Sequence, residues 1–262
     1  MFGRSVEYKT ADQIAVMRRA GAVVAEMHAA VRAAVAPGVT TRELDLVARE
    51  VLARHGATSN FLGYGARGAS GEGGFSGVIC TSVNDEVVHG IPGERILRDG
   101  DLVSVDAGAV VEGWHGDAAI TVPVGTVSAA DAELSRVTEA ALWAGIEAAR
   151  PGARLGDIGH AIAATIRAAG DYGIVEGFTG HGIGTAMHMD PDVANTGRPG
   201  HGMKLKPGLV IAIEPMVSRG SPYTQILEDD WTAVTIDGSR AAHWEHTVAV
   251  TAAGPVVLTL PT

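Results

Sequence analysis

One cysteine, Cys80, stands among 262 residues, so no intrachain disulfide can form, and at this size that usage fits a reducing compartment. Positive charge is scarce too: 20 Lys and Arg face 30 Asp and Glu, a formal charge of −10. That sign disfavours holding a phosphate backbone or an anionic membrane surface, so neither nucleic acid nor a membrane is an expected partner. No apolar run approaches the ~18 residues of a spanning helix. The N-terminal MFGRSVEYKTADQ carries charges where an export signal needs an apolar stretch. A soluble, cytoplasmic protein is the expectation. Aromatic residues make up only 5%, yet hydrophobic residues reach 46% and charged ones 19%, enough to build a full core and to exclude a disordered chain. Glycine is the residue in excess, 35 in all, clustered at GYGARGASGEGGFSG, residues 63 to 77, which reads as a mobile surface loop.

The chain repeats one design twice. Thr10 and Gln13 form a capping-box signature ahead of Ile14, Met17, Ala20, Val24, Met27 and Val31 at helical spacing, and this helix ends before Pro37-Gly38. Thr41 is the expected cap of a second helix that stops near His55-Gly56. Ser128 opens the next helix, which stops at Pro151-Gly152, and a fourth runs from about Leu155 to Gly170. APGVTTRELD and RPGARLGDIG read as two copies of one connection. Among the strands, GDLVSVDAG aligns with GLVIAIEPM, setting Asp106 against Glu214 at the ends of two apolar strands. GDAAITVPV and WEHTVAVT then set Asp117 against Glu245, each opening a β-branched run. Helices followed by strands, twice over, predict an α+β fold: an antiparallel sheet of pseudo-twofold symmetry with helices on its outer face. No linker divides the halves, about 10–125 and 126–255, so 1–262 is read as a single domain.

One carboxylate in an apolar strand proves little, being usually a solvated end or half of a salt bridge. Four related by an internal repeat meet at the axis between the halves, where their repulsion demands a cation or retained protons. Asp106 and Asp117 are separated by a hairpin expected at Glu112-Gly113, so both can face one space. GHGIGTAMH adds His181 between glycines and His188 seven residues later. Oxygen donors with one imidazole suit Mn, Fe, Co or Zn in a paired site, and the single cysteine excludes a thiolate zinc. Metal-assisted hydrolysis is the class this implies. His28, His55 and His160 fall in predicted helices, and His201 and His243 belong to no motif; all five are read as surface or core residues. His115, two residues before Asp117, is at most an outer neighbour of the site.

CTSVNDEVVHGIP (80–92), VDAGAVVEGWHGDAAIT (105–121), GHGIGTAMHMDPDV (180–193), IEPM (213–216) and WEHTVAVT (244–251) together resemble the methionine aminopeptidases, M24 metallopeptidases, in order and over about residues 7–257. The resemblance implies the pita-bread fold and two divalent ions held by Asp106, Asp117, His181, Glu214 and Glu245, with Glu214 also handling the proton of a bridging water. It implies that His89 contacts the substrate and assists proton transfer, that His188 binds the scissile carbonyl, and that Tyr64, Phe75, Cys80 and Trp231 form the methionine pocket. Ligand spacings of 64, 33 and 31 residues leave no room for the helical insert of type II enzymes, and no N-terminal zinc-finger extension is present. Met187 stands where the family has phenylalanine and Met189 where it has an acid, which alters the pocket rim and the peptide's approach.

The implied activity is removal of the initiator methionine from nascent chains with a small second residue. The implied partners are N-terminal methionyl peptides and nascent chains, with ribosome association possible for a monomer. A proline-directed aminopeptidase of the same fold is the alternative enzyme, and a binding protein that keeps the fold without catalysis is the alternative class.

Overall fold

Four helices start and stop where local chemistry sets them. The computed structural model describes residues 6–66 and 73–261. Thr10 caps α1 (Ala11–Ala34): its hydroxyl accepts from Gln13 N–H at 3.3 Å, and the Gln13 side chain accepts from Thr10 N–H at 2.8 Å. The cap of α2 (Thr41–His55) is Thr40, one residue earlier than the sequence suggested. Glu43 lies three residues after Thr40 and reaches back to its N–H at 2.7 Å, whereas Leu44, three after Thr41, has nothing to offer. Thr41 instead ties its hydroxyl to both backbone groups of Gly93. Ser128 caps α3 (Ala129–Ala148), as expected, and α4 spans Leu155–Ala169.

The two suspected copies of one connection are alike in detail. Each turns at a left-handed glycine, Gly38 (φ 95°) and Gly152 (φ 92°), a conformation that costs glycine nothing. Each then makes one β-bridge, Thr40 to Ile96 and Arg154 to Lys204, and enters its helix with an acid, Glu43 or Asp157, bonded back to the cap N–H.

The strands follow each helix pair. The first half adds β1 (Thr58–Ser59), β2 (Ile79–Val83), β3 (Glu86–Val88), β4 (Leu102–Val111) and β5 (Trp114–Pro123). The second adds β6 (Gly173–Ile174), β7 (Gly180–Gly182), β8 (Met189–Val193), β9 (Val210–Ile213), β10 (Met216–Ser218), β11 (Thr224–Ile226), β12 (Ala233–Thr235), β13 (Ala241–His243), β14 (Glu245–Thr251) and β15 (Gly254–Val257). An antiparallel sheet runs β1-β4-β5-β14-β9-β7-β8, with β2 also on β4 and β15 also on β14. Two three-stranded sheets, β13-β10-β6 and β11-β12-β3, complete the architecture. The order β4-β5-β14-β9 places the halves symmetrically about the β5–β14 seam, as the repeat requires. The β4–β5 hairpin turns at Glu112-Gly113, both with positive φ, the geometry a two-residue hairpin demands.

Alternation along the strands sorts the two faces. Val103, Val105 and Ala107 of β4 and Ala118, Ile120 and Val122 of β5 pack against Met27, Val31, Leu44 and Val51 of α1 and α2. A matching cluster joins Leu142, Ile158 and Ile162 of α3 and α4 to Ile211, Ile213 and Val248. Helix α1 lies so close to β5 that a Cβ on Gly116 would stand 2.8 Å from the Gly21 nitrogen. The opposite sheet face is left for polar residues, and the site is there. Among the described residues, no helix is long and apolar enough to cross a membrane.

Candidate metal centre

Asp106 pairs with Ala119, and Ala119 with Glu245, so one row across three strands sets two carboxylates on the face away from the helices. Asp117, two residues before Ala119, shares that face, and Glu214 follows Ile213, the last residue of β9 and the partner of His246. Asp106 is the fifth of ten residues in β4 and Asp117 the fourth of ten in β5, so neither closes nor opens its strand as the sequence suggested. Both strands continue past them because the apolar face runs unbroken, while the polar face changes purpose midway.

Two hydroxyls hold the seam where these ligands meet. Main-chain pairing between β5 and β14 covers only Ala118 and Ala119 opposite His246 and Glu245. Just beyond one end, the Thr247 hydroxyl accepts from Asp117 N–H at 2.9 Å and donates to Asp117 O at 2.7 Å. Beyond the other, the Thr121 hydroxyl accepts from His243 N–H at 3.0 Å and donates to His243 O at 2.8 Å. Each threonine stands in for a rung of backbone ladder, on opposite sides of the pseudo-twofold axis. The backbone carrying Asp117, His243 and Glu245 is thereby pinned on both strands.

His181 enters from β7, and its flanking glycines have a steric cause. A Cβ on Gly180 would lie 2.3 Å from Ala212 O, and one on Gly182 would lie 2.2 Å from Asp190 O. Only glycine lets β7 fit between β8 and β9. His181 Nδ1 donates to Gly182 O at 3.0 Å, since a carbonyl can only accept, and Nε2 therefore carries its lone pair toward Glu214 Oε1, 3.5 Å away.

A lone pair facing a carboxylate oxygen asks for a cation between them. Among the described residues, Asp106 Oδ1, Asp117 Oδ1, Glu245 Oε1 and His243 Nε2 are buried without a hydrogen-bond partner, which is costly for each. Donor atoms of Asp117, His181 and Glu245 lie within 4.8 Å of one another, as do those of Glu214, His243 and Glu245. The protonation equilibria of the protein alone agree. Burial pushes the Asp106 carboxyl up to about 7 and that of Glu214 to about 8, and it raises Asp117 and Glu245 well above the usual carboxylate range, with neighbouring carboxylates adding to the last two. Burial also lowers His181 to about 3, so its imidazole is neutral and fit to donate a lone pair. The residues fit a metal.

His243 is the residue the sequence reading misplaced. It is not a surface or satisfied core histidine: it lines the same cavity, with Nε2 3.6 Å from Glu214 Oε2. Nothing in its local sequence signals this, because the approach arises where the chain leaves β13 and enters β14 across the single residue Trp244. His115 bonds Asn60 at 3.0 Å and does not line the cavity.

The cavity, about 140 Å³, has an apolar end. Phe61, Phe75, Cys80 and Met187 form a buried cluster with Ile91 and Trp231 packed against it, and Phe75 meets Trp231 edge to face at 5.4 Å. Phe61 and Ile91 were not foreseen, and Met187 sits in the wall rather than at the rim. Cys80 pairs in register with Asp106, and burial together with the nearby carboxylates raises its thiol pKa, so it serves as a small apolar surface. Tyr64 is 40% exposed at the mouth, its hydroxyl 2.7 Å from His188 Nδ1. Phe75 N–H donates to Tyr64 O at 2.9 Å and Gly63 N–H donates to Phe75 O at 2.8 Å, which ties down the base of the glycine-rich segment; its residues 67–72 lie outside the described residues. His89 reaches the cavity from a left-handed backbone (φ 62°), a cost that non-glycine residues bear chiefly at functional sites, and its ring meets Phe178 edge to face.

Buried carboxylates and neutral imidazoles at the end of an apolar pocket define a metal-dependent hydrolase. The model of metallopeptidase family M24 matches residues 15–252. Methionine aminopeptidase 1 of Mycobacterium tuberculosis (strain CDC 1551 / Oshkosh) is 52% identical, over 98% of this chain and 96% of that protein. Methionine aminopeptidase 1 of Bacillus subtilis (strain 168) is 45% identical, over 96% and 98%. The crystal structure of a methionine aminopeptidase from Thermotoga maritima superposes with a TM-score of 0.93 at 41% identity, covering 98% of this chain and all of that one. The chain belongs to metallopeptidase family M24 and, within it, to the bacterial-type methionine aminopeptidases, metal-dependent peptidases of pita-bread fold that remove N-terminal methionine.

Proposed function

We propose that the chain acts as one catalytic domain that removes the initiator methionine from nascent chains with a small second residue, in the cytoplasm. The observation that carries this is the abutment, in one cavity, of the carboxylate–imidazole cluster and the apolar pocket. Asp106, Asp117, His181, Glu214 and Glu245 hold two divalent ions drawn from Co, Mn, Fe or Zn. When bound, such ions supply Lewis acidity, acidifying water and polarising a peptide carbonyl.

The chain's own residues do the rest. Phe75, Cys80 and Trp231, with Phe61 and Met187, enclose the methionine side chain, for which a flexible thioether among aromatic edges is well suited. The buried carboxylates hold the free amine at the closed end. Glu214 takes the proton released by the attacking water. With Tyr64 donating to His188 Nδ1, His188 Nε2 carries the hydrogen and donates it to the carbonyl oxygen, where charge develops. His89, whose pKa burial lowers to about 4, rests neutral and acts as a relay: one ring nitrogen takes up the proton held by Glu214 as the other passes its own to the departing amine.

A peptide panel tests this reading. Met-Ala-Ser is expected to release methionine, Met-Leu-Ser at least ~100-fold more slowly, and Ala-Pro-Ala not at all, because a bulky second residue clashes at the mouth and an N-terminal alanine offers the apolar pocket only a methyl group. Cleavage of Ala-Pro-Ala in preference to Met-Ala-Ser would instead indicate a proline-directed enzyme.

A further inference from the structure

Glu214 has an imidazole nitrogen on each side. Its Oε1 is 3.5 Å from His181 Nε2, and its Oε2 is 3.6 Å from His243 Nε2. Both gaps are long for a hydrogen bond. They are close to the ~3.4 Å that separates two donor atoms each about 2.1 Å from one tetrahedral ion. We infer that His243 is a further metal ligand, adding a second imidazole to the cluster beside Glu214 and Glu245.

Three further observations support it. His243 is 2% exposed and its Nε2 has no partner among the described residues, a costly arrangement unless something absent from the chain itself completes it. A ring nitrogen of His243 lies within 4.8 Å of donor atoms of both Glu214 and Glu245. The backbone beneath it is fixed twice over, by the Thr121 hydroxyl on its N–H and carbonyl and by pairing with Met216 in β10. A ligand needs that fixity, and a buried histidine that merely fills space does not. The cluster then shifts toward metals that favour nitrogen donors.

The inference rests on the two-metal reading above, and the test separates the two. Metal-stripped protein is titrated with Co(II) by calorimetry, and the imidazoles per pair of ions are counted by X-ray absorption. Wild type is expected to bind two ions with two imidazoles coordinated. His243→Gln is expected to keep the fold by circular dichroism, to lose about half of the imidazole signal, and to bind one of its two ions about a hundredfold more weakly. Wild type that binds no ion at the cluster would sink the two-metal reading itself. Wild type holding two ions with a single imidazole would overturn this inference alone, without needing any variant to fold. So would His243→Gln with both affinities unchanged and only a raised KM, which would make His243 a substrate contact.

Discussion

Asp106→Asn is expected to lower kcat/KM for Met-Ala-Ser roughly a thousandfold or more, a loss of about 4 kcal/mol of transition-state stabilisation, while leaving the circular dichroism spectrum unchanged. The amide keeps the shape of the carboxylate and its place opposite Cys80 and Ala119, so the sheet has no reason to change. What disappears is one of the charges that together can hold divalent cations in a buried site. The same substitution is expected to raise the melting temperature of the metal-free protein near pH 8, because it removes a buried, unpaired carboxylate. Activity lost and metal-free stability gained is the signature of a residue kept for chemistry at a cost in folding. Activity within tenfold of wild type would remove Asp106 from the metal site; a lower melting temperature would make it a structural residue.

The second large effect is on stability without metal. In the absence of a cation, the folded protein holds protons on Asp106 up to about pH 7 and on Glu214 up to about pH 8, while unfolding returns both to the ordinary carboxylate range near 4. The folded state therefore binds more protons than the unfolded one, and stability falls as pH rises through that window. His181 and His89, buried and neutral, oppose this below pH ~6.5, since unfolding there takes up protons and stability rises with pH. Between pH ~6.5 and 8 the carboxylates dominate: the contribution of the buried histidines fades as the unfolded imidazoles lose their protons, and Lys9, lowered by burial to about 8, opposes the carboxylates only toward the upper end. Each unit of separation weighs about 1.4 kcal/mol, so the metal-stripped protein is expected to lose several degrees in melting temperature across that interval. Saturating Mn(II) is expected to flatten the profile and raise it, because the ions displace the protons and bind only the folded state. A stripped protein whose melting temperature holds steady or rises from pH 6.5 to 8 would contradict this.

Much of this architecture is legible in the residue order, for reasons that are local. Capping boxes act over four residues, the Glu112-Gly113 turn over two, and the helix-then-strand repeat shows because both halves use the same left-handed glycine and the same acid at the helix start. Thr41 was mistaken for a cap because two threonines stand together, and only the position of Glu43 chooses between them. The five ligands suggested by resemblance, together with His89 and His188, line one cavity with Tyr64, Phe75, Cys80 and Trp231. What stayed hidden is what the topology brings together across long separations. His243 sits at the crossing from a small sheet to the large one, in a stretch, AAHW, with no pattern of its own. Phe61 reads as an ordinary apolar residue until Phe75 and Met187 are set against it. The Thr121 and Thr247 hydroxyls look like common β-branched strand residues, and only the seam reveals that they replace backbone.

Metal-dependent release of methionine is the most direct consequence of the buried cluster. The protein is stripped with chelator, confirmed metal-free by elemental analysis, and assayed on Met-Ala-Ser before and after Mn, Fe, Co or Zn is restored in turn. Silence when stripped, with activity returning on at least one of these ions and saturating near two per chain, is the result expected here. Undiminished methionine release from metal-free protein would contradict the central claim that the buried carboxylates and imidazoles exist to hold catalytic cations.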